Sequence, residues 1–246
     1  MKKRSAAVLA TASSSSSAAS ASGKKARSVS ASFGRGWADV RANESLSDCK
    51  PGPESTVLKT NAALPTRQAD GTLLFADRPD FRPNLTPREV IEQGAFGGGY
   101  FRPIHSNVTG QDHVDAHLEF PDAFGDLDAG LLTRAVYDET VNKYGVKCGG
   151  SLAMWQSSAW ISAQDPYGWF QWFTRFFFGR RSTDDDRQVQ RFNACAGEKG
   201  RWRANLIAKI RNAGAAVDDP SVAPVVRQTL HHWGYRLTQA HFDAKK

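Results

Sequence analysis

The chain has 246 residues, 40% of them apolar, and carries 32 Lys and Arg against 25 Asp and Glu. Nine of the bases and three of the acids fall in the first fifty residues, leaving 23 bases against 22 acids in the rest; this excludes one uniformly basic nucleic-acid-binding domain, and composition excludes a collagen, a disulfide scaffold and a chain disordered throughout. No run approaches the roughly 18 uninterrupted apolar residues of a membrane span, and Cys49, Cys148 and Cys195 lack the spacing of a metal site or a disulfide framework, so reduced thiols are expected.

Residues 1–49 are a Ser/Ala/Lys/Arg-rich tail that buries too little apolar surface to offset its ordering entropy and is expected to be disordered. Lys2-Lys3-Arg4 and Lys24-Lys25-Ala26-Arg27 flank the serine run Ser13 to Ser17. Two compact basic clusters point to the nucleus, with an organelle transit peptide as the alternative. Over 50–84, the prolines at 51, 53, 65, 79 and 83 and the scarcity of periodic apolar residues predict an extended arm lying on the domain.

Thr86-Pro87-Arg88-Glu89 is a capping box with proline at the first helical position and Gly94 as the stop, which predicts a short helix over 87–93. Phe96 to Ile104 is a glycine turn running into a β-like stretch that Pro103 confines to an edge. A glycine run with Arg102 and Ser106 nearby also invites a phosphate-cradling reading, although the Lys-Ser/Thr pair of the common phosphate loop is missing. Residues 112–139 hold eight acids against the single base Arg134. His113 and His117, four apart, would face one way on a helix and could hold a metal; a solvated pair on an acidic surface is the alternative. Tyr144 to Ser151 reads as a turn, a brief strand and another turn, with Cys148 either an exposed nucleophile or a small buried thiol.

Placed on a helix, Trp169, Phe170, Trp172, Phe173, Phe176 and Phe177 fall within an arc of about 160°, while Gln171, Thr174 and Arg175 lie outside it. That stripe predicts a core face, with a stacking platform for single strands as the alternative; Asp165 is the expected cap, Pro166 the first-turn proline and Gly179 the stop. A second helix follows Asp184-Asp185-Asp186, which complement its N-terminal dipole, and buries Val189 and Phe192. A third, from about Glu198 to Gly214, carries Trp202, Leu206, Ile210 and Ala213. A fourth, from about Ser221 to Trp233, buries Val222, Val225, Val226 and Leu230. The expected fold is mainly α with a small irregular β and loop portion, an α+β class: one compact domain over 85–238 with a helical C-terminal half, and a terminal tail over 239–246.

Asp165-Pro166-Tyr167-Gly168-Trp169-Phe170-Gln171-Trp172, Gly179-Arg180-Arg181, Arg187-Gln188 and Pro224 through Arg227-Gln228 to His232-Trp233-Gly234, with Tyr144 to Cys148, resemble the pattern of a protein family for which no activity is known. The likeness spans roughly 85–238 and implies one domain, nothing finer.

Three functional readings follow. Residues 171–211 hold ten bases against four acids, and Arg180, Arg181, Arg187, Arg191, Arg201 and Arg203 gather near two helix starts. Six guanidiniums so placed suit phosphate oxygens, which makes a sequence-independent nucleic-acid-associated protein the leading expectation. The alternative is a protein-interaction or scaffold module whose arginines pair with its own acidic 112–139 stretch. The third is an enzyme, for which Cys148, His105, Asp165 and Arg102 are the residues to inspect. No cofactor and no membrane contact are expected, and the partner is nucleic acid or another protein.

Overall fold

The computed structural model describes residues 52–245. The tail with both basic clusters, Cys49 and the reading of nuclear or organelle import lie outside the described residues. In chain order the elements are β1 (Val57–Lys59), β2 (Thr66–Arg67), β3 (Leu73–Leu74), α1 (Pro87–Glu92), β4 (Ile104–Ser106), β5 (Gln111–His113), α2 (Pro121–Phe124), α3 (Leu152–Ser157), α4 (Trp169–Phe177), β6 (Arg181–Ser182), α5 (Asp185–Cys195), α6 (Arg201–Ala213), α7 (Pro224–His232) and α8 (Gln239–Asp243), with single 3₁₀ turns between them. Of the described residues 39% are helical and 9% strand, a mixed α+β architecture. The strands pair only two by two and antiparallel, β1 with β6, β2 with β3 and β4 with β5. No described helix is long and apolar enough to cross a membrane.

Helix α4 is the axis of the core. Phe170, Trp172, Phe173 and Phe176 are fully buried, as the aromatic stripe requires. The opposite face is buried as well: Gln171 accepts from the Tyr167 N–H at 3.1 Å, Thr174 donates to the Phe170 carbonyl at 2.8 Å, and Arg175 grips Glu119 through two bonds of 2.6 Å. Satisfying each polar group inside the protein is what lets a helix sink on all sides. Asp165 does not cap this helix. The orphan N–H groups of Phe170 and Gln171 donate instead to the Tyr100 hydroxyl, at 2.9 and 3.1 Å, which in turn donates to the Tyr167 carbonyl at 2.6 Å. Gly168, the residue at the helix entry, has φ +85°, and a Cβ there would come within 2.7 Å of Ile161 Cδ1.

Of the segment expected over 50–84, the described residues 52–84 contribute to the centre rather than lying on the domain. Phe75 and Phe81 are fully buried; Phe81 meets the rings of Trp169, Trp172, Phe173, Phe176 and Phe192 at centroid distances of 4.9–6.2 Å, mostly edge-on. Two rings on an irregular backbone leave no period to read. The capping box of α1 is formed as expected, Thr86 and Glu89 bonding each other's backbone N–H. Against α4 lie α5, with Val189 and Phe192 buried, and the end of α7, whose His232 carbonyl accepts from the Trp169 indole at 3.3 Å; α6, with Leu206 and Ile210 buried and Gly214 as a left-handed stop, packs on α5 and α7. Asp184 does not cap α5 with its side chain, and Val225 on α7 is exposed where burial was expected. Residues 239–243 form α8, capped by Thr238, in place of a simple tail. The Tyr144 to Ser151 stretch forms no strand. It is a loop held by Tyr137, whose hydroxyl accepts from the Cys148 N–H at 3.0 Å and donates to its carbonyl at 3.1 Å.

Candidate functional site

One large cavity, of about 910 Å³, opens among the helices. Helix α5 supplies Arg187, Arg191, Ala194 and Cys195, spaced 0, 4, 7 and 8 along the chain and therefore on one face. Helix α7 contributes Thr229, His232 and the adjoining Trp233; the start of α6 gives Arg201 and Trp202. The entry of α4 adds Trp169 and Phe170, and the loop and helix over 147–155 close another side with Cys148, Met154 and Trp155. Trp160 stands at the rim, 44% exposed. Five of the chain's seven tryptophans therefore line one space.

The charge on this wall has one sign. Arg102, Arg134, Lys147, Arg187, Arg191 and Arg201 line the cavity, and no Asp or Glu does. Arg187 is neutralised from behind by Asp184 through bonds of 2.5 and 2.7 Å, and Arg134 meets Asp138 at 3.4 Å. Arg191 has no carboxylate at ion-pair distance among the described residues; Asp184 reaches it only through space and by way of Gln188. Arg191 Nη1 donates to Gln188 Oε1 at 2.8 Å, and the Arg191 guanidinium carbon lies 5.5 Å from the Trp160 ring centre and 5.6 Å from that of Trp233. Burial, with Arg187 adding like-charge repulsion, pushes Arg191 down to about 10. Its remaining nitrogens are not sealed away, so they open onto solvent or cavity without a partner among the described residues.

The neighbouring groups are held in neutral forms. Burial raises the Cys148 thiol, which sits 3.2 Å from the Thr229 hydroxyl, and pushes Cys195 up to about 12; the exposed-nucleophile reading of Cys148 loses its basis, because a reactive thiol needs a lowered value. His232 Nε2 accepts from the Phe96 N–H at 2.9 Å and lies 3.0 Å from Gln228 Nε2, so its proton resides on Nδ1, and burial keeps the ring neutral.

The six arginines expected to form one phosphate-binding cluster are not together on the surface. Arg180 is buried and bidentate on Asp165 at 2.6 and 2.7 Å, and Arg181 is buried and bidentate on Asp77 at 2.9 Å while stacking 3.7 Å from the Phe176 ring centre. Arg203 is buried over Tyr235. Arg187 and Arg191 face the cavity, and only Arg201 of the six is exposed. The acids that hold Arg180, Arg181 and Arg187 are Asp165, Asp77 and Asp184, not the 112–139 stretch, which instead meets Arg88 and Arg175 through Asp126 and Glu119. Basic composition alone could not separate these cases: Arg181 finds its partner 104 residues away in Asp77, and even the nearer partners of Arg180 and Arg187 are set by the fold.

His113 and His117 do not share a helix face: His113 lies in β5, 2.9 Å from Thr109 Oγ1, and His117 in a 3₁₀ turn. Both are half-buried and their values are lowered by that burial, so they are not a solvated pair. No group of three or more His, Cys, Asp or Glu among the described residues is placed to hold a metal. The Gly97 to Gly99 turn offers no phosphate cradle either, because its N–H groups donate to Asn142 Oδ1 and to the carbonyls of Ala95 and Phe96. The enzyme candidates do not assemble: His105 pairs with Asp112 at 2.8 Å, Asp165 is consumed by Arg175 and Arg180, and only Cys148 and Arg102 reach the cavity. In the sequence, Arg187 and Arg191 read as part of one arginine cluster, but Trp160, Trp202 and Trp233 do not read as lining a site. The spacing of 229, 232 and 233 opposite that of 187, 191 and 194 was the signal available.

No protein-family model matches the chain, and no curated protein or solved structure shows significant similarity to it.

Proposed function

We propose that the protein binds a small organic molecule in this cavity. The observation that carries the reading is a space of about 910 Å³ walled by five tryptophans, which lies in the size range, roughly 300–1,000 Å³, and has the aromatic lining typical of small-molecule sites. Tryptophan rings offer large contact area at little entropic cost, and the thiols and His232 around them are held in unreactive forms, so the chemistry supported is recognition. The neutral dye N-phenyl-1-naphthylamine, titrated into the full chain, is expected to brighten saturably and to raise the melting temperature as binding to the native state requires. Trp169→Ala is expected to weaken that binding. No saturable signal, or one that Trp169→Ala leaves untouched, would overturn the proposal.

Grip on a nucleic-acid backbone is the weaker reading, because it asks for outward guanidiniums and Arg201 alone of the six is exposed. It would be supported by an affinity falling with salt at a logarithmic slope of about −0.9 per phosphate contact that Arg201→Ala diminishes.

A further inference from the structure

We infer that the molecule held in the cavity is an organic anion: a flat apolar body bearing one oxyanion, a carboxylate, sulfonate or phosphate, which Arg191 receives. The inference rests on the ligand-binding reading and specifies its chemistry.

Half-burying a cation without a counter-charge is costly. Arg203 and Arg227 are buried without an ion pair among the described residues, Arg227 on the carbonyls of Val217 and Val222, but along α4, α5 and the strand between them the arginines other than Arg191 are paired. Arg175, Arg180, Arg181 and Arg187 each have a carboxylate within 2.9 Å. Along that stretch Arg191 is the one without an ion pair among the described residues, and it is the one near two tryptophans on the cavity wall. Two rings lie beside its guanidinium, while Nε and Nη2 make no hydrogen bond among the described residues and are not sealed away, which leaves N–H donors for an acceptor. Of its five N–H donors the chain engages those of one nitrogen, through Gln188. An oxyanion taking the rest would complete a charge-assisted, bidentate pair. Arg187 on the same wall is already paired with Asp184, but Arg201 adds positive potential and no Asp or Glu among the described residues lines the cavity, so neutral and cationic molecules of the same shape gain nothing from it. The apolar walls argue for a ligand whose remaining surface is hydrocarbon or aromatic, since a polyol or sugar would leave its hydroxyls unmatched.

Two dyes of one skeleton test this on the full chain: 1-anilinonaphthalene-8-sulfonate and its uncharged parent, N-phenyl-1-naphthylamine. The sulfonate is expected to bind more tightly, and Arg191→Met to weaken it by on the order of tenfold to a hundredfold, the scale of a hydrogen bond to a charged group, a much larger loss than the same variant causes for the neutral dye. Arg191→Lys is expected to fall between, keeping charge but losing the planar fork. Because Arg191 is half-buried, the sulfonate's affinity should fall less steeply with added salt than that of a contact on the outer surface. If both dyes bind equally and Arg191→Met moves neither, the anion inference fails while the cavity proposal stands. If neither dye binds, both fail. A sulfonate affinity that collapses with salt yet ignores Arg191→Met would place the anion on the outer surface and also overturn the inference.

Discussion

Asp165 shows how one carboxylate can organise its surroundings. It is fully buried, receives both terminal nitrogens of Arg180 and one of Arg175, and so joins the end of α4 to the loop that precedes it. A pair of this kind contributes little relative to a well-packed apolar substitute, but breaking it leaves a buried cation uncompensated. Asp165→Asn is therefore expected to destabilise the fold by about 3–5 kcal/mol, read as a lowered urea midpoint. Asp165→Asn with Arg180→Met together should cost less than Asp165→Asn alone, since the stranded charge is removed as well. A double variant as unstable as the sum of its parts would mean that the two groups act independently.

At the scale of elements, helices were legible where their signals are local. Thr86 and Glu89 sit three residues apart and cap α1 as read, Gly214 stops α6, and the ring stripe of α4 faces the core. What sequence could not supply came from far along the chain. The cap of α4 is Tyr100, some seventy residues upstream, and the rings that complete its core, Phe75 and Phe81, lie in a stretch with no period. The candidate site divides the same way: the face shared by Arg187 and Arg191 was visible as a spacing, whereas the cavity exists only because α3, α6, α7 and the Trp160 loop converge on that face. The tertiary cap gives a clear expectation. Tyr100→Phe preserves the ring but strips two buried N–H groups and the Tyr167 carbonyl of their partner, at about 1–3 kcal/mol for each group left unsatisfied. Thermal melts should show the loss. An unchanged melting temperature would mean that the α4 entry is satisfied in another way.

For the molecule as a whole, the acid response follows from which groups are kept neutral and which charged. His231 Nε2 donates to the Val90 carbonyl at 2.9 Å while its buried Nδ1 has no partner, and burial pushes it down to about 4; His232 is lowered further in the same direction. Between 4 and the ordinary value of 6.5 the unfolded chain therefore binds protons that the folded chain refuses. Their contribution to stability is fully present above about pH 6.5 and is lost as pH falls through the window toward 4. Asp77, lowered by its hydrogen bonds from Arg181, and Asp80, lowered by Arg78, act below that window, since their contribution goes only as they protonate. Urea midpoints should accordingly fall steadily on acidification from about pH 7, and His231→Gln should flatten the upper part of that slope. A midpoint independent of pH down to about 5 would refute the assignment.

The tryptophans around the cavity carry one more consequence, an optical one. Trp169 and Trp233 lie 4.2 Å apart between ring centres and Trp169 and Trp172 lie 5.2 Å apart, their planes tilted by 36° and 33°. Indole transitions this close and this inclined mix into shared excited states, which absorb left- and right-handed light unequally. The empty protein should thus show a far-ultraviolet couplet that its helices do not produce, and a guest that turns either ring would rewrite it. In that sense the chain carries its own chromophore for whatever it binds, and no label is needed to see the cavity fill.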